Sequence, residues 1–142
     1  MESEKILDVR VEFGLKMKDT LSIIEKDLLK DSENHIVCTT NPEFIIDAQE
    51  DSDFKRIINE SSLSVPDGIG VIYAKKYLDR VSKFRRDVFF PIKAFLYGVY
   101  FGISSIFKKN NFREERITGV DLTYEICDLS SKKGYSVFFL GG

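Results

Sequence analysis

Two rhythms of apolar residues alternate along this chain. Ile6 to Phe13 reads as a strand or one arm of a hairpin. Met17, Leu21, Ile24 and Leu28 keep helical spacing and predict an amphipathic helix over Lys18 to Leu29. His35 to Thr40 has the character of a buried strand. Pro42 suits the first turn of a helix that continues from Glu43 to Glu50. Ser52 is placed to cap a second short helix carrying Phe54, Ile57 and Ile58. Leu63 to Val65 predicts a strand and Gly70 to Leu78 a helix. Ile117 to Val120 predicts a short extended segment. Asp121 is placed to cap a helix through Ile126 and Leu129 that stops at Gly134. Ser136 to Leu140 predicts a last strand, closed by a Gly141-Gly142 turn.

The order is β-α-β-α-β-α, then an apolar segment, then α-β. It predicts the α/β class: a mostly parallel sheet with crossover helices, interrupted by an apolar helical insert. Residues 1–79 and 117–142 then form one domain, and residues 80–116 the insert. A parallel strand needs both faces covered. The final strand and its Gly-Gly turn therefore predict a fragment, a truncated product, or completion by a partner.

Composition narrows the class. A chain of 142 residues fits one domain, and 43% hydrophobic with 31% charged residues are globular values. Arg80 to Arg116 holds nine Lys/Arg against three acids. That is a local charge of +6, and it leaves −8 for the remainder because the whole chain carries −2. Such asymmetry predicts one local anionic surface as partner, and nothing in the pattern points to nucleic acid. Two cysteines, Cys38 and Cys127, are too few for a disulfide scaffold or a zinc site, which fits a reducing cytosol. Met1 to Lys5 lacks the order of a signal peptide.

Candidate chemistry falls on the strand-to-helix turns. Thr39-Thr40-Asn41-Pro42-Glu43 and Val65-Pro66-Asp67-Gly68-Ile69-Gly70 each follow a strand pattern and precede a helix. That is where α/β proteins place ligand chemistry. Thr39 and Asn41 can hydrogen-bond a polar ligand or cap the helix at Pro42, and Asn41 can do both. Gly68 and Gly70 let backbone approach a ligand and expose helix N–H groups, which suits a diphosphate; a plain turn is the competing reading. Asp67 is either a catalytic base or the Asp of an Asp-Gly turn. Arg116 is a candidate phosphate contact. Asp121 is a helix cap or part of a binding site.

Other features are structural. Asp51-Ser52-Asp53 has the Asp-x-Asp form of metal-dependent sugar transferases but lies between two helical patterns, where these residues cap and turn. His35 precedes a strand and Cys38 lies within one. Gly68-x-Gly70 lacks the third glycine of the dinucleotide fingerprint. Glu114-Glu115 reads as solvated.

Four stretches carry a resemblance: Thr39 to Phe44, Pro66 to Val71, Arg116 to Leu122, and Val137 to Gly142. In that order they resemble the WecG/TagA/CpsF glycosyltransferase family. The resemblance spans nearly all of the chain except the insert, and about the first half to two-thirds of a typical member. It implies a Rossmann-like fold and an inverting transfer of an N-acetylhexosamine, commonly N-acetylmannosamine. The donor is a UDP-sugar and the acceptor a polyprenyl-diphosphate-linked sugar, in teichoic-acid linkage, enterobacterial common antigen or capsule synthesis. No cofactor or metal is required. It implies Asp67 as the base, with Thr39, Asn41, Gly68, Gly70, Arg116, Asp121, Gly141 and Gly142 as the substrate-binding set. Weak or absent activity is expected of these 142 residues alone. The alternative is a non-catalytic, truncated, membrane-associated α/β module.

The insert departs from the family's shorter connection. Val88 to Phe107 is an apolar run broken by Pro91, Lys93, Gly98, Gly102 and two serines. As one helix it reaches about 30 Å, enough to span a bilayer. A single span would put the two parts of one domain on opposite sides of the membrane. Both flanks are also basic, which favours the same anionic face. An interfacial or re-entrant segment, peripheral at the cytoplasmic face, satisfies both constraints. The alternative is a helical pair packed on the protein's own core or in a homo-oligomer interface.

Overall fold

A computed structural model describes residues 2–30, 32–107 and 116–140, with the backbone alone at residues 105–107. Strands β1 (Glu2–Ile6) and β2 (Val9–Phe13) form an antiparallel hairpin in the register Ile6 to Val9 and Glu2 to Phe13. Its two-residue turn, Leu7-Asp8, has positive φ at both positions (49° and 63°), the twist that suits a tight hairpin. Gln49 Nε2 and Asn59 Nδ2 donate to the Leu7 and Asp8 carbonyls at 3.1 and 2.9 Å and hold that turn.

Helix α1 (Met17–Ile23) continues as a π-helical turn over Ile24–Leu28. Strand β3 (Val37–Thr40) leads through α2 (Pro42–Glu50) and α3 (Ser52–Glu60) to β4 (Leu63–Pro66). β3 and β4 pair in parallel, Val37 opposite Leu63 and Thr40 opposite Pro66. This is the crossover unit that the sequence order predicts. Helix α4 (Ile69–Val81), helix α5 (Phe90–Phe107) and helix α6 (Gly119–Lys133) follow.

The α/β class holds, with a narrower sheet than the pattern predicts. Among the described residues there is one parallel pair and one hairpin. The strand expected at Ser136 to Leu140 is not formed: those residues lie outside regular structure, and Phe138 and Leu140 are 87% and 94% exposed. Strand propensity alone supplies no neighbour to complete a ladder. Gly119 and Val120, expected in an extended segment, belong to α6.

The parallel pair separates two cores, as the side-chain alternation of a strand requires. On one face Cys38 meets Val9, Val11, Phe13, Ile45, Ala48, Ile58 and Val71, which brings in the hairpin and α2 to α4. On the other, Val37, Leu63 and Val65 meet Leu15, Ile24, Ile117 and Leu122, which brings in α1 and α6. The hairpin abuts β4 through side chains. Ser64 N donates to Glu12 Oε2 at 2.6 Å, and Ser64 Oγ donates to the Arg10 carbonyl at 2.8 Å. Glu12 is buried, and Arg10 Nε lies 3.2 Å from its Oε1. Burial pushes the Cys38 thiol above its ordinary pKa, against a smaller opposing pull from Ser61, as befits a core position.

Candidate active site

Three helices begin at the C-terminal edge of the parallel pair, and their caps show how the local sequence builds the site. At α2, Asn41 Oδ1 accepts from Phe44 N at 2.8 Å and Pro42 occupies the first turn. At α6, Thr118 Oγ1 accepts from Asp121 N at 3.1 Å and donates to Asp121 Oδ2 at 2.6 Å. The cap expected at Asp121 is therefore Thr118, with Asp121 one turn inside as its reciprocal partner. The cap of α3 also shifts by one residue: Asp51 Oδ1, rather than Ser52, accepts from Phe54 N at 2.9 Å. α4 starts differently. Its cap position is Gly68, with φ +89°, and among the described residues it has no side-chain cap.

Asp67 stands among these three starts. Its N–H donates to the Thr40 carbonyl at 2.8 Å, which carries the β3–β4 pairing one residue past β4. Its carboxylate Oδ2 accepts from Gly119 N, at the first turn of α6, at 3.1 Å. Ile117 N donates to the Pro66 carbonyl at 3.0 Å and fixes the chain entering α6 against the end of β4. Asp67 is thus anchored from both sides and is only partly buried. Among the described residues its Oδ1 has no partner. A carboxylate held by one oxygen, with the other open, can accept a proton from an incoming hydroxyl.

The glycines at this edge are close-packed. A Cβ at Gly119 would lie 3.0 Å from Thr39 Oγ1 and 3.6 Å from Asp67 Oδ2, so Thr39, Asp67 and Gly119 form one cluster. A Cβ at Gly70 would lie 2.8 Å from Pro42 Cγ. Gly70 therefore lets α4 start against α2. Its space is taken by Pro42, which supplies a packing reason for the glycine. Gly68 meets Pro42 only at van der Waals distance, and its positive φ is the reason for glycine there.

The structure brings Thr39, Asn41, Asp67, Gly68 and Gly70 to one edge. Asp121 is exposed on α6, occupied with its cap. Arg116 is exposed two residues before that cap. Gly141 and Gly142 lie outside the described residues. Sequence reasoning missed Gly119 as a site residue; the available signal was its place directly after a capping threonine. It also missed the groove that opens beside Gly119, of about 410 Å³, lined by Val120, Thr123, Tyr124, Cys127 and Phe139. Of the residues set aside, Asp51 caps α3, Asp53 lies 3.5 Å from Arg56, and His35 Nδ1 shares a hydrogen bond with Ser62 Oγ at 2.8 Å.

This edge can orient a polar ligand against a carboxylate, and the comparison with known families agrees. The model of the glycosyl transferase WecG/TagA/CpsF family matches residues 4–96. The chain belongs to that glycosyltransferase family. The matched span contains the Thr39–Asn41 and Asp67–Gly70 turns and ends inside α5, so it enters the segment read as an insert. It stops short of Arg116 to Leu122 and of Val137 to Gly142. A comparison with curated proteins finds no match.

Proposed function

We propose that this chain serves the inverting transfer of an N-acetylhexosamine, N-acetylmannosamine foremost, from a UDP-sugar to a polyprenyl-diphosphate-linked acceptor. The observation that carries the reading is the anchored Asp67 carboxylate, one oxygen on Gly119 N and the other open, at the edge where three helices begin. The acceptor hydroxyl attacks the anomeric carbon opposite the diphosphate. Its O–C bond forms as the bond to UDP breaks, and UDP leaves with the electron pair. Asp67 takes the hydroxyl proton. The first amides of α4, which no side chain among the described residues caps, suit the charge gathering on the diphosphate. Thr39 and Asn41 flank the sugar. As the resemblance implies, no metal is assigned a step. The acceptor's lipid confines the reaction to a bilayer surface, which places the chain peripherally at the cytoplasmic face, in teichoic-acid, common-antigen or capsule synthesis.

The test is a transfer assay with a panel of UDP-N-acetylhexosamines and a polyprenyl-diphosphate-linked acceptor, following UDP release and the product's anomeric configuration. The expected outcome is donor-selective release with an inverted product, fastest with UDP-N-acetylmannosamine. A product of retained configuration, or release indifferent to the sugar, would overturn the proposal.

A further inference from the structure

Helix α5 is apolar on two sides, and among the described residues one of them packs on α4. Its inner side packs on α4. Tyr77 and Tyr97 stack with centroids 6.1 Å apart, Tyr73 meets Phe101 edge-on at 5.8 Å, and Tyr77 Oη donates to the Ala94 carbonyl at 3.1 Å. Gly98 leaves the space that Tyr77 fills. The outer side is Ile92, Phe95, Leu96, Val99, Tyr100 and Ile103, all exposed, Phe95 at 69%. Their spacing follows a three-four repeat, so they form one continuous stripe along the helix. A stripe of this size left open marks an interaction surface.

Charge decides which surface covers it. Residues 88–107 contain no acidic side chain, and their single cation, Lys93, is bound to Asp87 at 2.8 Å. Lys83, Arg85 and Arg86 stand exposed just before α5, and Arg86 lies over the Phe90 ring at 4.2 Å. In the sequence, Lys108, Lys109 and Arg113 follow the helix. An apolar aromatic face with cations at both ends matches an anionic bilayer surface, where rings bury below the headgroups and cations meet phosphates. No helix among the described residues is long and apolar enough to cross a membrane. Lying in the interface remains the fitting geometry.

We infer that the outward stripe of α5 docks on an anionic lipid bilayer, with the helix axis in the plane of the membrane. The inference rests on α5 itself and stands apart from the transfer reaction, although a lipid-linked acceptor gives it a use.

The test is co-sedimentation of the full chain, without sugar nucleotide, with phosphatidylcholine vesicles containing or lacking phosphatidylglycerol, at low and high salt. Wild type is expected to prefer the anionic vesicles. A Phe95→Ser/Leu96→Ser/Tyr100→Ser variant removes only exposed groups. It is expected to melt like wild type and to bind about tenfold or more weakly at either salt. A Lys83→Glu/Arg85→Glu/Arg86→Glu variant is expected to lose roughly fivefold per cation at low salt and far less at high salt. The inference is overturned if the serine variant binds as tightly as wild type or if wild type binds neither vesicle. It is equally overturned if wild type sediments as a dimer that the serine variant abolishes while neither binds vesicles, since a second copy then covers the stripe. Unchanged vesicle binding alongside transfer with retained anomeric configuration would defeat the proposed reaction and leave this inference intact.

Discussion

The edge at Asp67 and the outer side of α5 are opposite solutions to placing side chains. At the edge nothing is loose. Caps are assigned at α2 and α6, Gly70 is pressed by Pro42, and Gly119 sits against Thr39 and Asp67. On α5 six large apolar residues stand exposed, while the side toward α4 carries the ring contacts of Tyr97 and Phe101. The difference teaches how two needs divide between regions. Proton transfer requires geometry fixed to a fraction of an ångström, so small residues and helix starts build it. Docking on a fluid surface requires area and charge, so bulky residues on one continuous face suffice.

The contrast is sharpest in stability. Ile72→Ala on α4, at a position 1% exposed, is expected to cost about 2–5 kcal/mol, while Leu96→Ala, at a position 60% exposed, should stay within about 0.5 kcal/mol. Denaturant unfolding of the two variants checks this. Equal losses would mean that the α5 stripe is a core face. Gly70→Ala is next in size. The added methyl must displace the Pro42 ring from 2.8 Å, at about 1–3 kcal/mol. A melting temperature equal to wild type would show that the edge is looser than its geometry.

The smallest effect concerns Lys75, which ties α4 to the hairpin through Glu4 at 2.5 Å and Glu2 at 3.4 Å and pairs with Asp79 of its own helix at 3.3 Å. Its partial burial pulls the ammonium pKa down, and the hydrogen bonds and charges of Glu4 and Asp79 more than reverse this, so the folded value is raised. A raised folded value means stability that is fully present below the unfolded pKa, near 10.5, and lost as pH climbs through the folded one. Lys75→Met is expected to cost about 1 kcal/mol or less at pH 7, because two of the three carboxylates are well exposed. The gap from wild type should then shrink only above about pH 10.5. A gap that closes nearer neutrality would assign the effect to another group.

Local chemistry made the strand-to-helix turns legible. Asn41-Pro42 announces a capped helix, Gly134 a helix end, and Asp67-Gly68 a turn at a strand end, and each lies where the pattern puts it. Caps were blurred where neighbours compete. Asp51 and Ser52, like Thr118 and Asp121, are all good caps, and only the first backbone N–H decides between them. Long-range facts left no trace in the pattern. Nothing local says that Gly70 meets Pro42, that Gly119 N reaches Asp67, or that the apolar Val137 to Leu140 run has no neighbouring strand among the described residues. The π-helical turn at Ile24–Leu28 was equally hidden, because its residues keep an ordinary helical apolar spacing.

The central claim, that Asp67 takes the acceptor's proton, is tested most directly by Asp67→Asn. The amide oxygen can still accept from Gly119 N, so the edge is expected to keep its shape, while the side chain can no longer act as a base. In a transfer assay with UDP-sugar and lipid-linked acceptor, turnover is expected to fall by roughly 10²–10⁴, with melting temperature and donor affinity unchanged. Turnover within a few-fold of wild type would contradict the assignment and return Asp67 to the role of a turn residue.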